Sequence, residues 1–96
     1  MNPVRDHSLM FYTYVIESKR SERWYTGTTN DLRKRFNQHN AGKSMWTKKG
    51  MPWKLIYYYE ACLNEDDARS REKYLKSGMG KRYLKNRLKR SLSLTG

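Results

Sequence analysis

The sequence contains a single cysteine, Cys62, so no internal disulfide can form and a reducing compartment is expected. No Cys/His cluster has zinc-site spacing, and neither a Walker loop nor a dinucleotide-binding glycine pattern is present. No apolar run approaches the ~20 residues that span a bilayer, and the N-terminus has no apolar core of signal-peptide length. These absences favour a cytoplasmic protein that is not attached to a membrane.

Acidic residues are also scarce. Nine Asp and Glu stand against 21 Lys and Arg, which gives a net charge of +12 in 96 residues. The length suits one domain with a modest core, so any active site must lie near the surface. An aromatic content of 14% argues against a disordered basic tail. Because clustered cations attract phosphate backbones, the expected partner is a nucleic acid, and a membrane surface is the competing polyanion.

The hydrophobic pattern predicts an α+β domain with the order β-β-α-β-α-α, in which helices flank a small three-stranded antiparallel sheet. The domain is expected over residues 11–90, between a flexible lead-in (1–10) and a frayed tail (91–96). The predicted strands cover residues 11–17, 23–28 and 53–61, and the predicted helices cover 30–40, 65–77 and 81–90. Thr29 or Asn30 is expected to cap the first helix and Gly42 to end it, and Gly78 and Gly80 are expected to break the chain before the last helix.

One carboxylate lies at an unusual position in the second predicted helix. Ala68, Glu72, Leu75 and Met79 recur at helical spacing and should share one face. A carboxylate within an apolar stripe is costly unless a partner compensates its charge. A divalent metal, an Arg or a structural ion pair would each serve.

The first predicted helix carries an Arg and a His at the edge of its own apolar stripe. Leu32 and Phe36 form the stripe, and Arg35 and His39 should lie at the boundary of core and solvent. This pair could stabilise phosphoryl charge and assist proton transfer. The alternative is an Arg stem packed on the core beside a surface His.

Tyrosines occupy both strands of the predicted hairpin. Tyr12 and Tyr14 should project to one face of the first strand, and Tyr25 could lie near Tyr14. Aromatic pairs on neighbouring strands are typical of core packing, and a role in a functional site is the other interpretation.

Taken in order, these segments resemble the GIY-YIG nuclease domain. YTYV (12–15) and WYTG (24–27) are similar to its paired motifs, and residues 30–40 are similar to its Arg-and-His helix. The basic loop, the third strand and ARSREKYLKSG (68–78) continue the likeness over about residues 11 to 90, as in small stand-alone members. Tyr12 and Thr13 replace the Gly and Ile of the first motif, and Thr26 replaces the Ile of the second.

The resemblance implies a metal-dependent phosphodiesterase and a role for each matching residue. Tyr14 and Tyr25 match the motif tyrosines, one of which acts as general base toward the attacking water. Arg35 matches the Arg that binds the scissile phosphate, and His39 matches a supporting residue that hydrogen-bonds a tyrosine. Glu72 matches the metal-binding carboxylate, which suits a single Mg²⁺ or Mn²⁺ bound weakly without substrate.

Further residues are candidates for binding the substrate. Gly27 would allow a close approach of the backbone, or would only mark a bulge. An aromatic side chain beside lysines in the loop suits stacking on unpaired bases, although Trp46 could instead fold onto the core. The basic last helix suits a phosphate track or a solubilising surface. The candidates are Gly27, Trp46, Lys48, Lys49, Lys81, Arg82 and Lys85.

The sequence therefore predicts a metal-dependent endonuclease that acts on DNA in preference to RNA. With no second domain to read base edges, low sequence specificity is expected, with single-stranded, branched or damaged DNA as substrate and DNA repair as context. No obligate protein partner is inferred. The alternative is a non-catalytic nucleic-acid-binding module that keeps the basic surface but not the chemistry.

Overall fold

A computed structural model of the chain describes residues 10–56 and 60–90. The strands are β1 (Phe11–Ser18), β2 (Trp24–Thr29), β3 (Trp53–Leu55) and β4 (Glu60–Cys62). The helices are α1 (Leu32–Asn40), α2 (Glu65–Lys76) and α3 (Gly78–Arg87), and a 3₁₀ turn covers Lys48–Gly50. The predicted α+β class is confirmed. Within the described ranges, no helix combines the length and the apolar character that a membrane span requires.

The antiparallel sheet is built around β1. The strand β2 pairs antiparallel along one edge of β1, which confirms the predicted hairpin, and the register places Tyr14 opposite Gly27. Both β3 and β4 pair with β1, and they share the edge that β2 leaves open, so the sheet is three strands wide. The predicted third strand is thus represented by two short strands, and residues 57–59 of that prediction lie outside the described residues.

Helices cover both faces of the sheet because β1 is apolar on both sides. Val15 packs with Leu75 of α2 and with Leu84 and Leu88 in and after α3. On the other face Tyr14, Ile16 and Trp53 form a second cluster. Leu32 and Phe36 of α1 pack against this second cluster, as their helical spacing predicts. Side chains that alternate along β1 therefore enter two separate cores.

The ends of α1 follow common capping chemistry. The N-cap is Asp31, whose carboxylate accepts a hydrogen bond from the Lys34 amide at 3.1 Å, so the predicted caps at Thr29 or Asn30 were one or two residues early. The Thr29 side chain instead accepts a hydrogen bond from the Asp31 amide. The helix ends as predicted before Gly42, whose φ of 73° is the left-handed conformation that glycine adopts without strain.

The turn between α2 and α3 differs from the prediction. The glycine pair does not form a loop, because Ser77 caps α3 by accepting a hydrogen bond from the Gly80 amide, and α3 begins at Gly78. Gly80 is buried where the two helices meet, and a Cβ there would collide with the Tyr74 carbonyl oxygen. Met79 accordingly belongs to α3 and is 69% exposed, so its predicted place in the apolar stripe of α2 is wrong.

Candidate active site

The site starts from a close approach across the β1–β2 pair. Tyr14 of β1 lies over Gly27 of β2, and a Cβ added to Gly27 would stand 2.6 Å from the Tyr14 Oη. It would also stand 3.1 Å from the ring of Tyr25. Gly27 therefore has a defined steric function, because it makes room for both tyrosines. No bulge interrupts the β1–β2 register at this position.

A buried hydrogen-bond network continues from Tyr14 into the loop after α1. The Tyr14 Oη lies 2.8 Å from His39 Nε2, and His39 Nδ1 lies 2.7 Å from the Thr47 Oγ1. His39 is 0% exposed, so its predicted position at the boundary of core and solvent is wrong, as is the alternative of a surface His. The loop after α1 folds back and covers the ring, which helical spacing within α1 does not reveal.

Tyr25 packs against this network from the neighbouring strand. Its ring packs edge-on against His39, with centroids 5.2 Å apart, and against Trp53 at 6.3 Å. Tyr25 is half-buried, whereas Tyr14 is 1% exposed. The two tyrosines are therefore part of the core, as the packing alternative predicted, and also part of one polar cluster.

Arg35 lies beside the same cluster from the first turns of α1. Its side chain is half-buried, and its Nη1 donates a hydrogen bond to the Gln38 Oε1 at 3.1 Å. Its charge acts on both Tyr14 and His39. A cation held beside two polar aromatic groups can receive an anionic group from solvent.

Burial dominates the protonation of the two innermost groups. Burial raises the pKa of Tyr14 to about 12, with a smaller contribution from Tyr25, while hydrogen bonding to Arg35 and the charge of Arg35 act in the opposite direction. Burial, followed by the charge of Arg35, lowers the pKa of His39 from 6.5 to about 4. At neutral pH both groups are therefore uncharged.

Glu72 lies on α2, which packs on the opposite face of the sheet from Tyr14, and it contacts β2 through Thr28. Its Oε1 accepts a hydrogen bond from the Thr28 Oγ1 at 2.5 Å, and its Oε2 pairs with Lys76 Nζ at 2.7 Å. Its side chain is 19% exposed, and its charge contributes to the raised pKa of Tyr14. An ion pair therefore exists, as one alternative predicted. Lys76 is four residues from Glu72 and could have been found from helical spacing, whereas Thr28 was identifiable only as the neighbour of Gly27.

The donor set around Glu72 fits a weakly held hard cation. Over residues 10–56 and 60–90, no three His, Cys, Asp or Glu side chains are grouped closely enough to form a complete metal cage. A lone carboxylate beside a hydroxyl is the kind of site that suits Mg²⁺ or Mn²⁺, which keep several waters and take up substrate oxygens. The Lys76 side chain is 53% exposed, so a cation could displace its ammonium from Glu72 at small cost.

The basic loop after α1 presents its apolar side chains to solvent. Trp46 is 84% exposed and Met45 is 85% exposed, so the alternative in which Trp46 folds onto the core is wrong. Lys48 and Lys49 lie in the 3₁₀ turn that follows, and both are exposed. Thr47, between Trp46 and Lys48, is buried and hydrogen-bonds to His39, so this exposed surface adjoins the cluster.

The basic residues of α3 are exposed but lie elsewhere. Lys81 and Lys85 line a groove of about 500 Å³ beside the β1–β2 turn, together with Trp24. Arg82 is exposed on the same helix. The structure therefore separates these three cations from the polar cluster at Tyr14 and Arg35.

Comparison with known proteins identifies the family. The GIY-YIG catalytic domain model matches residues 10–89. The chain belongs to the GIY-YIG family. Membership indicates an endonuclease of the hydrolase class that binds nucleic acid, and GIY-YIG nucleases generally use divalent metal ions. The resemblance carried by YTYV and WYTG is thereby confirmed.

Several bacterial relatives of this GIY-YIG chain are UPF0213 proteins. One from Clostridium perfringens (strain 13 / Type A) is 43% identical over 68 residues, which are 70% of this chain and 71% of the relative. One from Streptococcus pneumoniae serotype 4 is 39% identical over 66 residues, 68% of this chain and 65% of the relative. One from Streptococcus pyogenes serotype M5 is 46% identical over 48 residues, about half of either chain. No solved structure matches significantly.

Proposed function

We propose that this protein is a metal-dependent endonuclease that hydrolyses phosphodiester bonds in DNA. It has little sequence specificity and prefers single-stranded, branched or damaged DNA. The observation that carries the proposal is one cluster of candidate proton-transfer and phosphate-binding groups: Tyr14, Tyr25, Arg35 and His39. The candidate metal-binding carboxylate, Glu72, is close enough for its charge to act on Tyr14.

Arg35 is the group that receives the scissile phosphate. Its guanidinium is half-buried, so part of it faces solvent while the rest is held beside Tyr14 and by Gln38. A cation fixed before substrate arrives can stabilise the charge that develops on the phosphate without reorganising. Loss of such a preorganised group typically costs ~10²–10³ in rate.

The two tyrosines have different roles in the proposal. With its pKa raised to about 12, buried Tyr14 keeps its proton at neutral pH and acts as a positioning group. Tyr25 is half-buried, so solvent can reach its side chain, and its phenolate form is the proton acceptor for the attacking water. Tyr25→Phe is therefore expected to lower the cleavage rate more than Tyr14→Phe, and the reverse order would contradict this assignment.

Glu72 is the residue that would hold the divalent ion, with Thr28 fixing the orientation of the carboxylate. Such an ion, when bound, neutralises phosphate charge and makes a water easier to deprotonate. Thr28 donates a hydrogen bond to Oε1 of Glu72. The other oxygen, Oε2, would bind the ion in place of Lys76.

The exposed loop is proposed to bind unpaired nucleotides. Trp46 offers a free aromatic face and Lys48 and Lys49 offer charge for the backbone, a combination typical of single-strand binding. This surface supports the preference for DNA with unpaired regions. Lys81, Arg82 and Lys85 would contribute long-range attraction for a longer DNA.

A cleavage panel tests the proposal. One labelled sequence is presented as a single strand, a duplex and a flap, with Mg²⁺, Mn²⁺ or EDTA. We expect metal-dependent products from at least one substrate, and loss of cleavage in Glu72→Gln, which keeps the size of the side chain. The matched control is Glu65→Gln, which makes the same charge change on the same helix at an exposed pair with Arg69.

Two outcomes would contradict the proposal. Equal cleavage by Glu72→Gln and Glu65→Gln would remove the metal-binding role of Glu72. Salt-sensitive DNA binding without any metal-dependent product would instead support the non-catalytic binding module, which the substitutions of the first motif at Tyr12 and Thr13 favour.

A further inference from the structure

A groove of about 470 Å³ lies beside α1 at the protein surface. Three cations line it, Arg33, Lys34 and Lys43, and all three are exposed. Within residues 10–56 and 60–90, none of their side chains forms an ion pair. Their positive charge can therefore act on an anion that arrives from solution.

The acidic residue in the lining of this groove, Asp31, already serves as the helix cap. Its carboxylate accepts a hydrogen bond from the Lys34 amide at 3.1 Å, at the positive end of the helix dipole. Three cations against one carboxylate leave the groove an excess of two positive charges. The groove beside the β1–β2 turn also has three cations, but they face two carboxylates, Glu17 and Glu22. The α1 groove is therefore the better match for a phosphate group.

Gln38 connects the α1 groove to Arg35. It lines the groove, and its Oε1 accepts a hydrogen bond from Arg35 Nη1 at 3.1 Å. A side-chain amide has one oxygen and one NH₂ group, so the Nε2 of Gln38 remains as a donor, and no described residue accepts from it. The Gln38 carbonyl oxygen also accepts from the Lys43 amide at 3.0 Å, which ties Lys43 to the end of α1. A phosphate in the groove would thus lie next to the position proposed for the scissile phosphate.

We propose that the α1 groove binds a second phosphate of the cleaved strand, one that flanks the scissile phosphate. Lys34 and Lys43 supply the charge, and the Nε2 of Gln38 donates a hydrogen bond to a phosphate oxygen. Contacts of this kind set the register of a nucleic acid without reading its bases, so the groove would determine which linkage lies at Arg35. This inference rests on the proposed nuclease function, within which it assigns the path of the strand.

Binding of a single-stranded oligonucleotide in EDTA tests the groove without cleavage. The double variant Lys34→Gln/Lys43→Gln removes two exposed charges, and the matched control Lys19→Gln/Lys73→Gln removes two exposed charges outside the groove. Each phosphate neutralised on a single strand adds about 0.7 to the slope of log K against log salt concentration. We therefore expect the slope to be smaller by about 1.4 in the groove variant and unchanged in the control. Equal slopes for the two double variants would overturn the inference.

Cleavage of oligonucleotides that carry one uncharged methylphosphonate linkage tests where the second phosphate binds. The product length shows which linkage lay at Arg35. With subsaturating wild-type protein, we expect a neutral linkage within about two nucleotides of the cleaved one to lower the single-turnover rate about fivefold. The same linkage should have no effect on Lys34→Gln/Lys43→Gln, which lacks the contact.

Two results of the cleavage experiment would overturn the inference. One is an equal effect of the neutral linkage on the wild type and on Lys34→Gln/Lys43→Gln. The other is loss of the effect in Lys81→Gln/Lys85→Gln alone, because the strand would then pass through the groove beside the β1–β2 turn. Absence of wild-type cleavage would contradict the proposed function instead, whereas the binding slopes in EDTA do not depend on activity.

Discussion

Replacing Gly27 with Ala tests the steric basis of the site. The new Cβ would stand 2.6 Å from the Tyr14 Oη and 2.8 Å from its Cζ, whereas ordinary contacts begin at 3.4 Å. The end of the Tyr14 side chain must therefore move by roughly 0.8 Å in a close-packed interior. Overpacking of this kind costs about 1–3 kcal/mol, and the 1% exposure of Tyr14 leaves little room to relax. Because replacing glycine also lowers the entropy of the unfolded chain, by about 0.4–1 kcal/mol, we expect a net loss of about 1–2 kcal/mol.

Chemical denaturation followed by tryptophan fluorescence and circular dichroism measures this loss. The matched control is Gly78→Ala in the first turn of α3, where an added Cβ meets no atom within 4 Å. That variant should be unchanged or more stable by up to about 1 kcal/mol, because Ala has the higher helix propensity. Equal free energies of unfolding for the two variants would refute the claim that Gly27 makes room for Tyr14.

Three further predictions concern the helix turn, the buried histidine and the metal position. Gly80→Ala should destabilise the protein by more than about 2 kcal/mol in denaturation experiments, since the clash with the Tyr74 carbonyl oxygen involves rigid backbone; a loss like that of Gly78→Ala would contradict it. The free energy of unfolding should fall by about 3 kcal/mol as pH drops from 6.5 to 4, because the unfolded chain then binds a proton that buried His39 does not. His39→Gln lacks this titrating group, so its free energy of unfolding should fall by about 3 kcal/mol less than that of the wild type over the same pH range. An equal pH dependence in the two proteins would contradict the prediction. Lys76→Met should tighten Mn²⁺ binding by calorimetry, because it removes the cation 2.7 Å from the Glu72 carboxylate, whereas unchanged or weaker binding would exclude Lys76 as a competitor.

The parts of the fold that local chemistry determines were predictable from the sequence. A run of aromatic and β-branched residues identified β1 and its hairpin with β2, whereas the register that sets Tyr14 opposite Gly27 was not predicted. Asn64 caps α2 by accepting hydrogen bonds from two amides, as its position before three acidic residues predicts. The half-buried position of Glu72 also followed from helical periodicity, because its neighbours in the stripe, Ala68 and Leu75, are both buried.

The features that escaped prediction depend on contacts between distant segments. The burial of His39 results from the loop that carries Thr47, and no spacing within α1 indicates that contact. Met79 does not lie in the apolar stripe of α2 because Ser77 caps a new helix that contains it. Glycine is a poor helix former, but Gly80 lies within α3 because only a residue without a Cβ fits against the Tyr74 carbonyl oxygen. Tertiary packing outweighed local preference at each of these positions.

Single-turnover cleavage by Arg35→Ala, measured beside Arg33→Ala, tests the central claim most directly. Both changes remove one positive charge from α1, but Arg33 is exposed whereas Arg35 lies beside Tyr14. We predict that, with metal present and salt fixed, Arg35→Ala lowers the cleavage rate by about 10²–10³ while its oligonucleotide Kd stays within a few-fold of that of Arg33→Ala. Equal rates for the two variants, or a wild-type protein that binds the oligonucleotide and never cleaves it, would contradict the assignment of this cluster as a nuclease active site.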